Sequence, residues 1–107
     1  MAVNIEGSRE ILIAYLVGEI DHHTAVDMRK KIDVCVREMK PKILVLDFDS
    51  VSFMDSSGIG LVMGRYKLIK ELGGTLHVVG VSERTHKIMN LAGLQNLAEI
   101  TEKEAKV

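Results

Sequence analysis

A nearly continuous apolar run from Ile43 to Phe48 constrains the fold of this chain more than any other feature. A run of this length, rich in branched side chains, predicts an inner β-strand that is covered on both faces. It leads through Asp55-Ser56-Ser57-Gly58 into a helical apolar pattern from about Ser56 to Leu72, which closes at Gly73-Gly74. We therefore expect a central strand, a short turn and a helix, in that order.

The chain before this unit is predicted to open with a β-hairpin. Val3 and Ile5 alternate with polar neighbours, Gly7-Ser8 is a turn signal, and Ile11 to Val17 forms a second β-like run. Gly18 is expected to end that second strand.

A first helix should follow the hairpin. Thr24 to Asp27 fits a capping box, and the helix should end near Lys40 because Pro41 disfavours helical geometry in the residue before it. Apolar residues at helical spacing form its inward stripe: Ala25, Met28, Ile32, Cys35 and Met39. We assign Cys35 to core packing on this ground.

The C-terminal part continues the alternation. Thr75 to Val79 is a predicted strand, and Ser82 is a predicted N-cap of a helix that ends at Gly93. The inward face of that helix should consist of Ile88, Leu91 and Ala92. Leu97 to Ile100 is a short strand or a helix entry, and residues 101–107 are either a disordered tail or an extension of a last helix.

Alternating strands and helices after a hairpin predict an α/β fold within one domain, residues 1–107. We expect a mixed, mostly parallel sheet of about four to five strands, with an N-terminal hairpin and helices packed against it.

Composition narrows the range of partners. The 107 residues carry a net charge of -1 and no basic cluster, which disfavours nucleic acid. No apolar stretch is long enough to span a membrane, and the N-terminus lacks a leader pattern. The single cysteine fits a reducing compartment. We expect a soluble, unprocessed, cytoplasmic protein.

Loops after the carboxyl ends of parallel strands gather along one edge of a sheet. Residues 19–24, 52–58 and 80–84 should therefore meet, and the predicted partner contacts are in or next to these segments: Glu19, Asp21, His22, His23, Thr24, Met54, Asp55, Ser56, Gly58, Ile59, Ser82 and Arg84. Phe53 and Met54 are either exposed apolar contacts or side chains packed beneath the following helix. Gly60 and Gly64 share a helix face that would admit either the sheet or a docking partner.

Ser56 and Ser57 lie on the opening turn of the predicted second helix. The first N–H groups of a helix have no intrahelical partner, and the helix dipole adds partial positive charge, so this position accommodates a phosphate. A phosphate on Ser57 would place about −1.5 to −2 charge beside Asp55, which the helix tolerates and a protein interface does not. The alternative is that Asp55 or Ser56 serves only as an N-cap. These physical arguments apply equally to both serines.

Three segments together resemble a STAS domain, and more closely a sporulation-type anti-sigma-factor antagonist. They are Leu16 to Asp21 with Thr24-Ala25, Val45 to Phe48, and Met54 to Gly60, which contains the D-S-S-G-[IL]-G pattern. The resemblance implies that Ser57, the serine before the glycine, is phosphorylated by a partner that is both a serine kinase and an anti-sigma factor. It further implies that the unphosphorylated form binds this kinase and frees the sigma factor, and that a serine phosphatase restores it. Antagonists of other stress pathways share the motif.

Other functions are disfavoured by the residues present. Neither serine lies in a G-x-S-x-G elbow, which argues against a hydrolase, and no nucleotide-binding loop is present, so ATP and magnesium would come from the kinase. His22 and His23 are adjacent on a turn and lack further ligands for a metal. A receiver-like domain with Asp47 or Asp55 as phospho-acceptor would need an acidic cluster where the chain has a Gly-Ser turn. We expect a binding protein without a cofactor, not an enzyme.

Overall fold

Strands and helices alternate along residues 2–104, the part of the chain that the computed structural model describes. The strands are β1 (Val3–Gly7), β2 (Ile11–Ile20), β3 (Ile43–Met54), β4 (Thr75–Val81) and β5 (Glu99–Glu102). The helices are α1 (His22–Met39), α2 (Ser56–Glu71) and α3 (Glu83–Leu91), followed by a 3-10 turn at Leu94–Asn96.

The strand order in the sheet follows the chain, β1-β2-β3-β4-β5, so β3 is central as predicted. β1 and β2 are antiparallel, and every other neighbouring pair is parallel. The predicted mixed sheet with an N-terminal hairpin is confirmed. Residues 101 and 102 belong to β5, so they do not extend a helix, and residues 105–107 of the predicted tail lie outside the described residues.

The core lies between one face of the sheet and the helices. Leu44, Leu46 and Phe48 of β3 are buried and alternate with half-buried neighbours. They join one cluster with the buried residues of all three helices. The expectation that β3 is covered on both faces is therefore wrong. Its apolar run is continuous because the second face also carries apolar side chains, such as Val45 beside Ile13 of β2, without a layer above them.

β2 and β3 are both longer than their sequence patterns indicate. β2 does not stop at Gly18, which has a φ of 88° and lies beside a shift in register, but continues to Ile20. At each of two register shifts β3 carries an extra residue, so both bulges lie on β3 and Gly18 lies on the partner strand beside the second of them. The strands end together at the pair Ile20 and Met54. Phe53 and Met54 consequently lie on a strand and not in a loop.

α3 has the predicted N-cap and a different inward face. The Ser82 hydroxyl accepts the Thr85 N–H at 3.1 Å, which confirms the cap. Met89 is buried, whereas Leu91 is 90% exposed and Ala92 is exposed as well. The predicted inward positions Leu91 and Ala92 are wrong because the helix ends at Leu91 and the chain turns there.

The glycines of α2 have two different environments. A Cβ on Gly58 would lie 2.1 Å from Met54 Cγ, so this glycine lets the start of α2 sit directly on β3. A Cβ on Gly60 or Gly64 would meet nothing within 4 Å. The face of Gly60 and Gly64 therefore does not pack on the sheet. That this face admits a docking partner stays a prediction.

Gly58→Ala is expected to lower the free energy of unfolding by about 1–3 kcal/mol, because the new methyl group overlaps the Met54 side chain. Gly60→Ala is the matched control two residues along the same helix. It should raise the stability by about 0.5–1 kcal/mol, since alanine favours the helix and its methyl group meets open space. Urea denaturation measures both changes. Equal stability of the two variants would contradict the packing described for Gly58.

Candidate functional site

Two helices begin side by side at one edge of the sheet. Ile20 and Met54 pair at the ends of the parallel strands β2 and β3, and each is followed by an aspartate that caps a helix. The Asp55 N–H donates to the Ile20 carbonyl at 3.1 Å, which ties the two strand ends together. Residues 19–24 and 52–58 therefore do converge, and two positive helix ends lie next to each other.

Asp21 caps α1. Its carboxylate accepts the N–H groups of His23 and Thr24 at 2.9 Å each, and the Thr24 hydroxyl accepts the Asp21 N–H at 2.9 Å. This capping box begins at Asp21, so the expectation that Thr24 begins it is wrong. The hydrogen bond from the Thr24 N–H holds the pKa of the Asp21 carboxyl below its usual range, against a smaller opposing effect of desolvation. Asp21 therefore remains a carboxylate at neutral pH.

Asp55 caps α2 through a single hydrogen bond, in which its Oδ1 accepts the Ser57 N–H at 2.8 Å. Asp55 is the N-cap, and Ser56 is the first helical residue and exposed. Ser57 is half-buried, and its hydroxyl makes no hydrogen bond within residues 2–104. The two serines, which the sequence could not separate, thus have different surroundings.

The two apolar residues before the cap point to opposite sides of the sheet. Met54 is 5% exposed and packs beneath Gly58, whereas Phe53 is 45% exposed. The expectation of Met54 as an exposed partner contact is wrong, because the side chain fills the space between β3 and α2. Phe53, in contrast, presents an apolar surface at this edge.

Ser57 opens onto a groove between α1 and α2 with a volume of about 310 Å³. We call it the α1–α2 groove. Its lining is His22, Ala25, Val26, Arg29, Ser57, Gly60, Leu61 and Arg65. Among these residues the groups that can carry charge, His22, Arg29 and Arg65, are all basic, so the groove suits an anionic group.

A buried ion pair holds the two helices together at this groove. Arg65 Nε of α2 lies 2.8 Å from Asp33 Oδ1 of α1, with the two side chains 6% and 15% exposed. The contact is close, although the N–H is not aligned well enough to count as a hydrogen bond. Burial lowers the pKa of Arg65, Asp33 opposes that shift, and the neighbouring Arg29 and Arg37 add to it.

Arg29 and Arg65 are site residues that the sequence pattern does not predict. Arg29 follows His22 by seven residues and Arg65 follows Ser57 by eight, which is two helical turns in each case. That spacing places each pair on one face of its helix. Nothing in the spacing shows that these two faces meet, which depends on how the helices pack.

The third predicted segment lies beside the end of β3 and lines a different groove. Ser82 and Arg84 border a small cavity of about 90 Å³ together with Phe53, Thr85 and Ile88. Ser82 caps α3 and Arg84 is exposed. The predicted contact residues therefore divide into one set around Ser57 and another beside Phe53.

The described residues contain no group of three or more His, Cys, Asp or Glu side chains placed to hold a metal ion. The His22 and His23 rings lie 5.8 Å apart, edge to face. Within residues 2–104 no helix combines the length and the apolar character needed to cross a membrane.

Comparison with known proteins shows which family this chain resembles in sequence and fold. The family model of the STAS domain matches residues 2–107. An "Anti-sigma F factor antagonist" of Paenibacillus polymyxa is 36% identical over 97% of this chain and 89% of that protein. An "Anti-sigma-B factor antagonist" of Bacillus subtilis is 31% identical over 94% of this chain and 91% of that protein.

One similar protein has been solved in two states. The unphosphorylated anti-sigma factor antagonist SpoIIAA is 31% identical, with a TM-score of 0.80 over 92% of this chain and 87% of that one. The phosphorylated form of SpoIIAA, from Bacillus, has a TM-score of 0.73 over 92% of this chain and 90% of that one. The same fold is thus present in both forms of that protein.

Proposed function

The chain belongs to the STAS domain family, among its anti-sigma-factor antagonists, and we propose that it is a sporulation-type antagonist controlled by phosphorylation of Ser57. The unphosphorylated form binds a serine kinase that is also an anti-sigma factor, and this binding frees the sigma factor. Phosphorylation of Ser57 by that kinase ends the binding, and a serine phosphatase restores it. Both forms act in the cytoplasm.

The observation that carries this proposal is the position of Ser57. Its hydroxyl has no hydrogen-bonding partner within residues 2–104 and lies in the first turn of a helix, where the N–H groups favour an added anion. Asp55 fixes the backbone through the Ser57 N–H, which supports our proposal that the serine is presented to an incoming phosphoryl group. Ser56 is more exposed but does not line the α1–α2 groove.

The effect of the phosphate follows from charge. A phosphoserine adds about −1.5 to −2 charge and three acceptor oxygens to a surface that contacts another protein. An unpaired charge in an interface commonly costs about 2–5 kcal/mol of binding free energy. The helix end stabilises the same charge, so the fold persists while the binding is lost.

The contact surface that we propose is centred on the two helix starts. Its members are Glu19, Asp21, His22, His23, Thr24, Asp55, Ser56, Gly58 and Ile59, with Ser82 and Arg84 beside them. Phe53 joins this set as an exposed aromatic side chain, of the kind that often dominates binding energy. Asp21, Thr24 and Asp55 contribute chiefly by shaping the surface, since their side chains are engaged in caps.

The relatives support the sporulation pathway over the stress pathway. The relative that serves sigma F is 36% identical and the one that serves sigma B is 31% identical, so we favour the sporulation type. Parallel binding measurements with an anti-sigma F kinase and an anti-sigma B kinase decide between them. Tighter binding to the sigma B kinase would assign the chain to the stress pathway instead.

Incubation with the kinase and Mg·ATP is expected to add one phosphate to the chain, which peptide mass spectrometry should locate on Ser57. Ser56→Ala should be modified at the wild-type rate, and Ser57→Ala should not be modified. The label should survive acid and hydroxylamine, as a phosphoserine does. Modification of Ser56, or loss of the label in hydroxylamine as for an acyl phosphate on Asp47 or Asp55, would contradict the proposal.

A further inference from the structure

Arg29 lines the α1–α2 groove opposite Ser57 and has no acidic partner within residues 2–104. We propose that the phosphate of phosphorylated Ser57 turns into this groove and is held there by Arg29, with His22 as a second donor. The phosphorylated form would then carry its own counter-charge. This inference rests on Ser57 being the residue that is modified.

The lining of the groove supports an internal anion site. Ser57 and Arg29 border the same cavity of about 310 Å³, in which Gly60 leaves open the space that a side chain would occupy. Ala25, Val26 and Leu61 form apolar walls beside the charged groups. A guanidinium presents several N–H donors in one plane, a geometry that matches phosphate oxygens.

The groove has more positive than negative charge around it. Arg65 has its counter-ion in Asp33, whereas Arg29 lies close enough to Arg65 to lower its pKa and has no counter-ion of its own among the described residues. The carboxylates that cap the two helices at this edge are engaged with backbone N–H groups. Asp55 accepts the Ser57 N–H, and Asp21 accepts N–H groups of α1. An added dianion at Ser57 would supply the missing negative charge.

Capture of the phosphate would change the surface in two ways. It would place negative charge at the start of α2, and it would occupy an arginine that is free in the unmodified form. A partner that contacts Arg29 through an acidic side chain would lose that contact as well. Loss of binding would then depend on Arg29 in the groove as well as on the charge of the phosphate.

The test uses the full-length chain with phosphoserine introduced at position 57 by genetic code expansion, so no kinase is required. Phosphorus NMR is used to follow the second ionisation of the phosphate with pH in the wild-type background and in Arg29→Gln. The matched control is Arg37→Gln, which removes the same charge from α1 outside the groove. Arg29 is exposed, so Arg29→Gln should fold as the wild type does, and circular dichroism checks this.

We expect the second pKa of the phosphate to rise by roughly 0.5–1 unit in Arg29→Gln and to change little in Arg37→Gln. Arg29→Lys should give an intermediate value, because it keeps the charge and loses the planar donor geometry. An equal second pKa in the wild type, Arg29→Gln and Arg37→Gln would overturn the inference, since the phosphate would then lie in solvent. Failure of the kinase to modify Ser57 would instead overturn the proposed function. The phosphorus NMR result would still decide whether a phosphate at position 57 is bound in the groove.

Discussion

Ser57→Asp is expected to weaken binding to the proposed kinase partner by roughly 30-fold to several-thousand-fold, whereas Ser57→Ala should bind as the wild type does. The aspartate places a permanent negative charge on the proposed contact surface, where a docking protein would have to bury it. The fold should persist in both variants, because a carboxylate at the start of α2 interacts favourably with the helix dipole. Isothermal titration calorimetry with the nucleotide-bound kinase measures the affinities.

Ser56→Asp is the matched control for this comparison. It adds the same charge one residue earlier, on a side chain that is exposed and does not line the α1–α2 groove. We expect a smaller loss of affinity than in Ser57→Asp. Equal binding by Ser57→Ala and Ser57→Asp would contradict the switch, and equal losses in both aspartate variants would show a general effect of charge.

Asp33→Ala is expected to lower the free energy of unfolding by about 3–5 kcal/mol, a large share of the stability of a domain this size. The substitution leaves the Arg65 guanidinium almost fully buried without its counter-ion, since that side chain is only 6% exposed. Asp33 itself is mostly buried, so solvent screens the pair weakly. Chemical denaturation of the unphosphorylated protein measures the loss.

A double substitution separates loss of the charge pair from loss of packing. Asp33→Ala combined with Arg65→Met should be more stable than Asp33→Ala alone, because no unpaired charge remains in the interior. Asp27→Ala is the surface control, since the side chains of its ion pair with Lys31 are 53% and 38% exposed and the pair should contribute less than about 1 kcal/mol. A loss in Asp33→Ala no larger than in Asp27→Ala would show that the buried pair is not important for stability.

The sequence predicts the order of strands and helices well because local signals govern it. The apolar run at Ile43, the Gly-Ser turn and the N-cap at Ser82 each depend on a few neighbouring residues. The wrong predictions occur where pairing between strands determines how far a strand extends. Gly18 looks like a strand end, yet β2 continues past it because β3 offers further hydrogen-bonding partners.

In the candidate site, too, the features set by neighbouring residues are predicted and those set by packing are not. Asp55 as a cap and Ser57 on the first turn follow from the local pattern, and the structure has the cap where the pattern allows it. The burial of Met54 and the presence of Arg29 in the groove do not follow from it. Both depend on the approach of α1 and α2 to each other and to β3, which no periodicity in the chain encodes.

A single residue, Asp55, separates the last position of β3 from the first of α2. The backbone at Asp55 is held from both sides. The Asp55 N–H donates a hydrogen bond to β2, and the Asp55 carboxylate accepts one from α2. The phosphate proposed for Ser57 would consequently find no hinge to move. It would alter the charge of the surface and leave the backbone as it is, so reversal would require hydrolysis of one phosphate ester and no refolding.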